Sequence, residues 1–313
     1  MSRLVKLVNA KTPWITDAGL ETSIIYHEGL DLPHFAAFTL LDTKVGRDAL
    51  TRYFENYARL ARQAGTGLVL DTPTWRAGTV WGAVMGLDTA QIRDINRASV
   101  EFCAAFRRDR EDEKLAILLN GVIGASGDGY AIDHFLTGDE AFDRHRVQAE
   151  ALAEAGADLV TAVTMTHSGE AIGAARAAQA ASVPVAVSFT VETDGKLPSG
   201  ETLAEAIAAT DAATGAAPVY YMVNCAHPTH FSGVLQGEWV VRIGGIRANA
   251  SRMSHAELDV ATELDDGDPE EFGRLYRDLG VLLPNLRVIG GCCGSDHRHV
   301  GEASRHFHMH HTA

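Results

Sequence analysis

The sequence predicts a single α/β domain closed into a (β/α)8 barrel of the TIM type, and three observations point there. Eight short apolar runs rich in β-branched residues recur at a spacing of roughly 20 to 50 residues, as in barrels of this size. The runs are continuous rather than alternating, as expected of strands buried on both faces of a parallel sheet. Amphipathic stretches with helix-capping residues lie between them. The competing architecture, a doubly wound open sheet, would place a glycine-rich phosphate turn after the first strand. The first turn reads Asp17-Ala18-Gly19-Leu20-Glu21-Thr22 and lacks that pattern.

In chain order the predicted strands are 14–17, 68–71, 115–120, 159–164, 183–190, 219–225, 239–243 and 286–290. Helices are expected over stretches such as 48–63, 89–108, 139–155 and 201–213. Asp88 before Thr89, and Asp268 before Pro269, are N-cap signals, while Ala64-Gly65 and Ala155-Gly156 read as C-terminal stops. No linker interrupts the pattern, so residues 1–305 are read as one barrel and residues 306–313 as a His-rich, disordered tail.

The chain has 313 residues, 46% of them apolar and 22% charged, which is ample for a large core and excludes a disordered polymer. Its net charge of −14 repels phosphate backbones and anionic lipid, so neither nucleic acid nor a membrane surface is an expected partner. No apolar run approaches the ~18 residues of a membrane span. The start, Met1-Ser2-Arg3-Leu4-Val5-Lys6, lacks the apolar core of a signal peptide. A cytoplasmic protein with reduced thiols is expected, and assembly into a homo-oligomer is compatible with the sequence.

Three of the four cysteines fall at strand ends: Cys225 ends the sixth run, and Cys292 and Cys293 end the eighth. In such barrels the C-terminal strand ends carry the chemistry, so three thiols converge on one rim. Gly290, Gly291 and Gly294 around the pair remove side-chain bulk. Three thiolates suit Zn2+ in a tetrahedral site at a Zn–S distance of about 2.3 Å, with the fourth position open, as in catalytic sites. The competing readings are ordinary buried cysteines, preferred for Cys103 inside a helical stretch, and a vicinal Cys292–Cys293 disulfide. Three thiolates make a dication a poor Lewis acid for water but a good holder of a fourth thiol, deprotonated at neutral pH yet nucleophilic. Such a thiolate suits alkyl transfer from a sulfonium or quaternary ammonium, whose approach an acidic protein favours. No catalytic residue beyond the zinc-activated thiol is needed.

Asn224-Cys225 followed by Gly290-Gly291-Cys292-Cys293-Gly294 resembles the homocysteine S-methyltransferase family of zinc-dependent barrels. Residues 16–22 resemble its N-terminal Asp-Gly-Gly-x-Gly-Thr loop, residues 155–160 its Ala-Gly-Ala-Asp strand, and Ser188-Phe189-Thr190 its Ser-Phe-Thr segment. Arg247-Ala248-Asn249-Ala250 sits where the family has a Pro-Asn-Ser/Ala loop. The resemblance implies zinc on Cys225, Cys292 and Cys293, a thiol acceptor, homocysteine giving methionine, and a small methyl donor. Because no folate- or cobalamin-binding stretch follows the cysteine pair, the implied donor is freely diffusing: S-methylmethionine, S-adenosylmethionine or a betaine-like molecule. Asp17 is then expected to bind the acceptor's ammonium group, with Glu21 a second carboxylate at the mouth and Asn224 supporting the ligand or the strand turn.

The sequence also departs from that pattern. Val163 stands where the fourth strand of the family carries an acceptor-binding Glu, and Glu21 stands where the first loop carries Gly. Two alternatives follow: the same zinc barrel acting on a different thiol, or a non-catalytic thiol-binding or redox protein. His227, His230, His297 and His299 lie near the cysteine motifs but read as solvated or hydrogen-bonded loop residues, since a thiol acceptor needs the fourth position free. Trp75, Arg76 and Trp81 offer a lid or aromatic face for a methylated cation, with packing the expected role of Trp81. Gly127-Asp128-Gly129-Tyr130 reads as a turn without an assignable role.

Overall fold

In the computed structural model, which describes residues 1–132 and 134–308, eight parallel strands close into a barrel in sequence order. They are β1 (Trp14–Ile15), β2 (Leu68–Asp71), β3 (Ile117–Gly124), β4 (Leu159–Met165), β5 (Val185–Phe189), β6 (Pro218–Asn224), β7 (Ile243–Ala248) and β8 (Val288–Gly291). Closure runs through β1, where Ile15 pairs with Leu68 on one side and Ile289 on the other.

Period-2 alternation inside the apolar runs sorts the barrel into two layers. The lower layer is an apolar plug of Trp14, Val69, Leu118, Leu159, Ala186, Tyr220, Met222 and Val288, closed from below by Leu7 of the short helix Arg3–Val8. Two residues further along several of these strands the inward positions turn polar: Asp71, Asn120, Thr161 and Ser188 are all buried. Asn120 donates to Asp71 at 2.7 Å and accepts from Thr161 at 2.8 Å, so this layer is hydrogen-bonded rather than orphaned. Outside the strands, Ile15, Leu68, Leu70, Ile117, Leu119 and Ile246 pack against the helices in the main core.

The helices begin and end where their caps say. Asp88 and Gln91 form a capping box on helix Thr89–Arg110, Asp268 caps Pro269–Leu282, and Gly65 (φ 65°) stops Lys44–Ala64 in the left-handed conformation. Cys103 is wholly buried on its helix, as an ordinary core residue. None of the described helices is long and apolar enough to cross a membrane.

Two expectations need correction. The apolar run 239–243 is mostly a 3-10 turn, Glu238–Arg242, and the seventh strand follows it, so Arg247 lies inside a strand rather than in a loop. The predicted tail starts too early: the last helix, His297–His308, includes its first residues, and His306 is buried against Gly273. Residues 309–313 lie outside the described residues.

Candidate metal centre and substrate pocket

Cys225 follows β6 directly, and Cys292 and Cys293 follow β8. The strand between them, β7, brings the two motifs together: the Cys225 N–H donates to the carbonyl of Arg247, and the Cys292 N–H to that of Ala248. All three sulfurs lie within 4.8 Å of one another. Glycine makes the approach feasible, because a Cβ at Gly290 would stand 2.4 Å from the Asp17 carbonyl. Gly294, at φ 76°, turns the chain away past the Asp265 carbonyl.

Cys225 itself has φ 54°, a left-handed conformation that costs a non-glycine residue about 1–3 kcal/mol and concentrates at functional sites. Asn224 braces it. The Asn224 amide oxygen accepts from Ser188 at 2.6 Å and from the Thr164 N–H at 3.0 Å, while its Nδ2 donates to Thr164 at 3.1 Å and to the Cys225 sulfur at 3.3 Å. Asn224 is therefore a positioning residue for the sulfur, with its amide committed to protein partners.

The expectation of reduced thiols is corrected here: Cys225 and Cys292 are joined as a disulfide, with Cα atoms 5.3 Å apart, and Cys293 is free. The vicinal Cys292–Cys293 pairing does not form. Proximity explains both outcomes, since the closeness that lets three thiolates reach one ion also lets two of them couple across β7. In the reduced protein the donor set fits a soft or borderline divalent ion: three clustered sulfurs, small neighbours, and polar hydrogens aimed at the sulfurs.

One of those hydrogens comes from a residue whose role the sequence left open. The Tyr130 hydroxyl sits 3.5 Å from the Cys225 sulfur and 3.6 Å from that of Cys293. Burial pushes the Cys293 thiol up, and the hydroxyl pulls it the other way. Tyr130 packs at a tilt of 45° against His255, ring centroids 4.6 Å apart, and His255 in turn bonds the Cys225 carbonyl at 2.5 Å and Glu192 at 3.1 Å. Sequence reasoning missed His255 because it lies 30 residues from Cys225, at the start of the short helix His255–Asp259 after β7.

Among the described residues, the four histidines near the cysteine motifs stay out of the sulfur cluster. His227 caps the helical turn after β6, His230 meets the Arg252 carbonyl, and His299 is buried against Asp296 and the Asp266 carbonyl. His297 begins the last helix.

Beneath the sulfurs lies an inner pocket of about 70 Å3, bordered by Asp17, Glu21, Asp71, Val163, Asn224 and Arg247 among others. Arg247 reaches across its floor and ion-pairs Asp17 with one guanidinium nitrogen and Asp71 with the other. Its remaining donors meet the carbonyls of Gly291 at 3.1 Å and Ala18 at 3.3 Å. Burial works against the Arg247 charge, but the two carboxylates hold it above its ordinary range. Burial, with Asp71 and Glu21 adding, lifts the Asp17 carboxyl against Arg247 to about 7. Asp17 thus lies in the pocket as expected, 4% exposed, but engaged by a resident cation. Val163 is 7% exposed and presents an apolar wall.

Above the sulfurs an outer cavity of about 250 Å3 opens between the loops, bordered by the aromatic rings of Tyr26, Phe35, Trp75 and Tyr130. Its charged border is mostly acidic: Glu21, Asp128, Asp259, Glu263 and Asp265 face Arg76. The Arg76 guanidinium is sandwiched between Trp75 and Trp81, 3.8 and 3.9 Å from their ring centroids. Trp81 donates to the Ala125 carbonyl, a packing role, while Trp75 faces both cavities.

A family model described as homocysteine S-methyltransferase matches residues 14–307. Among solved structures, the chain is similar to the oxidised form of the homocysteine methyltransferase MmuM from Escherichia coli (20% identity, TM-score 0.77, 97% of this chain and 99% of that one). It is also similar to the metallated form of the same protein (20% identity, TM-score 0.75, 97% and 99%). A methyltransferase from Methanosarcina mazei shares the fold at 9% identity and TM-score 0.52, over 99% of this chain and 98% of that one. No curated protein sequence matches the chain.

Proposed function

This chain belongs to the homocysteine S-methyltransferase family, and we propose that it moves a methyl group from a small onium donor to a thiol, homocysteine giving methionine, with zinc held by Cys225, Cys292 and Cys293. The observation that carries the reading is the convergence of three sulfurs, from two strand ends, between two cavities of different character. Bound zinc would keep an incoming thiol as a thiolate at neutral pH.

The chain's own residues do the rest. Asn224 and Tyr130 direct hydrogens at the ligating sulfurs and so set their electron density. The inner pocket takes the acceptor's chain beside Val163. The outer cavity, aromatic and acidic, takes the donor: its rings attract a methylated cation through their faces, and its carboxylates supply charge of the right sign. In the transfer the acceptor sulfur bonds the methyl carbon as the donor's bond to that carbon breaks. The electron pair leaves with the donor heteroatom, which becomes neutral. Holding both substrates in line across the sulfur rim is the main catalytic contribution of the fold. Both substrates are small molecules, in keeping with a cytoplasmic enzyme.

A second reading rests on Val163: an apolar wall beside the sulfurs favours a thiol that lacks the amino acid head group. Incubating the reduced, zinc-loaded protein with homocysteine and S-methylmethionine, S-adenosylmethionine or glycine betaine, followed by mass detection of methionine, tests the main reading. Product with at least one donor is expected. Zinc and thiol binding without product from any donor would overturn the transferase reading in favour of a thiol-binding or redox role.

A further inference from the structure

Three carboxylates border the inner pocket, Asp17, Glu21 and Asp71, and they are not equivalent. Asp17 and Asp71 are each ion-paired to the buried Arg247, and Asp71 also accepts from Asn120. At either one an incoming ammonium group would compete with a resident guanidinium that is itself tied to two backbone carbonyls. Glu21 differs. It lies in the short helix Leu20–Thr22 after β1, and among the described residues its carboxylate meets only its own backbone N–H. Arg247 and Arg76 act on it through space alone. Glu21 is also the carboxylate that borders both the inner pocket and the outer cavity.

We propose that Glu21, rather than Asp17, recognises the cationic head group of the acceptor thiol, and that Arg247 brings this about by clamping Asp17 and Asp71. The assignment rests on the methyltransferase reading above and names the substrate class it takes: a thiol carrying an ammonium group near its far end. A half-buried anion without a counter-ion gains most from a cation supplied by the ligand. Burial raises the Glu21 carboxyl, which is the state expected of a group whose partner arrives from outside. The same arrangement reconciles an apolar Val163 with an amino acid acceptor, because the charge that binds the ammonium comes from the β1 loop instead of from β4.

The test compares two thiols of equal length, L-homocysteine and 4-mercaptobutanoate, which lacks the ammonium group. Each is titrated calorimetrically into reduced, zinc-loaded protein without any methyl donor. Glu21→Gln should weaken homocysteine binding by roughly thirtyfold or more, the loss expected when one partner of a desolvated charge pair is removed, and leave 4-mercaptobutanoate unchanged. Glu21→Asp, which keeps the charge, should hold homocysteine more tightly than Glu21→Gln does. Unchanged zinc stoichiometry and far-ultraviolet circular dichroism check that both variants are folded. Equal weakening of the two thiols, or no weakening of either, would overturn the assignment, as would a selective effect on donor binding in a parallel titration with S-methylmethionine. If neither thiol binds the wild-type zinc protein, the methyltransferase reading itself falls, a result distinct from the loss of discrimination.

Discussion

On one side of the barrel mouth, Cys225, Cys292 and Cys293 gather three sulfurs within 4.8 Å of one another. On the other, Asp17 and Asp71 gather two carboxylates around a built-in cation, Arg247. Both groupings come from strand ends of the same barrel, and both concentrate negative charge when fully ionised. They differ in where the compensation comes from. The carboxylates are satisfied by a side chain of the fold, so that side of the rim is scaffold. Two of the sulfurs are joined as the Cys225–Cys292 disulfide, and in the proposed function it is an ion from outside that completes the cluster. A cluster left for an external partner to complete marks function more reliably than a cluster of charges as such.

The largest effect that separates the two sides is on the sulfurs. Cys292→Ser should lose stoichiometric zinc and abolish methyl transfer, because two thiolates and a hydroxyl are a far weaker donor set for this ion. Its fold should persist, since the barrel does not depend on metal for a core. Metal analysis of the reduced, purified variant decides the matter: full zinc retention would remove Cys292 from the site and with it the contrast drawn here.

On the carboxylate side the expected effect is on stability instead. Arg247→Met leaves two buried carboxylates facing each other and should destabilise the fold by about 3–5 kcal/mol, the usual cost of breaking a buried pair from one side. The pH dependence has a definite sign. Burial already holds Asp17 at about 7 in the fold, well above the ordinary carboxylate range, and removing the guanidinium raises it further. A carboxylate whose folded value lies above its unfolded one favours the folded state in acid and loses that contribution as pH rises. The deficit of the variant should therefore be nearly flat in acid and grow as pH rises through about 7, the folded value of the wild-type Asp17, as read by urea denaturation at several pH values. A loss that is flat with pH, or under ~1 kcal/mol, would show that Arg247 is not what holds the pair.

The sulfur corner was legible in the sequence because each of its parts is local. Asn224-Cys225 and Gly290-Gly291-Cys292-Cys293-Gly294 are strand ends whose placement alone predicts that the three sulfurs meet, as they do. The barrel was legible for a related reason, that buried parallel strands are continuous apolar runs, and seven of the eight overlap the predicted ones well. The seventh explains what was lost. β7 reads Ile243-Gly244-Gly245-Ile246-Arg247-Ala248, too rich in glycine and charge to stand out beside the apolar run 239–243 that precedes it. Those glycines are there for packing: a Cβ on Gly244 would stand 2.7 Å from the Tyr220 side chain, and one on Gly245 2.6 Å from that of Met222. Glycines opposite a Tyr-x-Met strand were the available signal, and shifting the strand onto them would have turned Arg247 inward. The Arg247 clamp itself joins residues 176 and 230 positions apart, with no local pattern to betray it. The disulfide was illegible because it requires knowing that β7 holds two strand ends at coupling distance.

The smallest effect concerns Tyr130, which belongs to neither side by sequence but leans on the sulfurs in the fold. Tyr130→Phe keeps the ring that packs on His255 and removes only the hydroxyl beside Cys225 and Cys293. Because a donor to a ligating sulfur stabilises its thiolate, zinc affinity should fall by roughly tenfold, at the lower end of what loss of such an outer partner costs. Stability should hardly change, since Tyr130 lies in a surface loop after β3 and contributes little to the core. Competition with a zinc chelator of known affinity measures the shift. An affinity equal to that of the wild type would mean that the hydroxyl only rests near the sulfurs and that Asn224, with its amide fixed by Ser188 and Thr164, is enough to orient them.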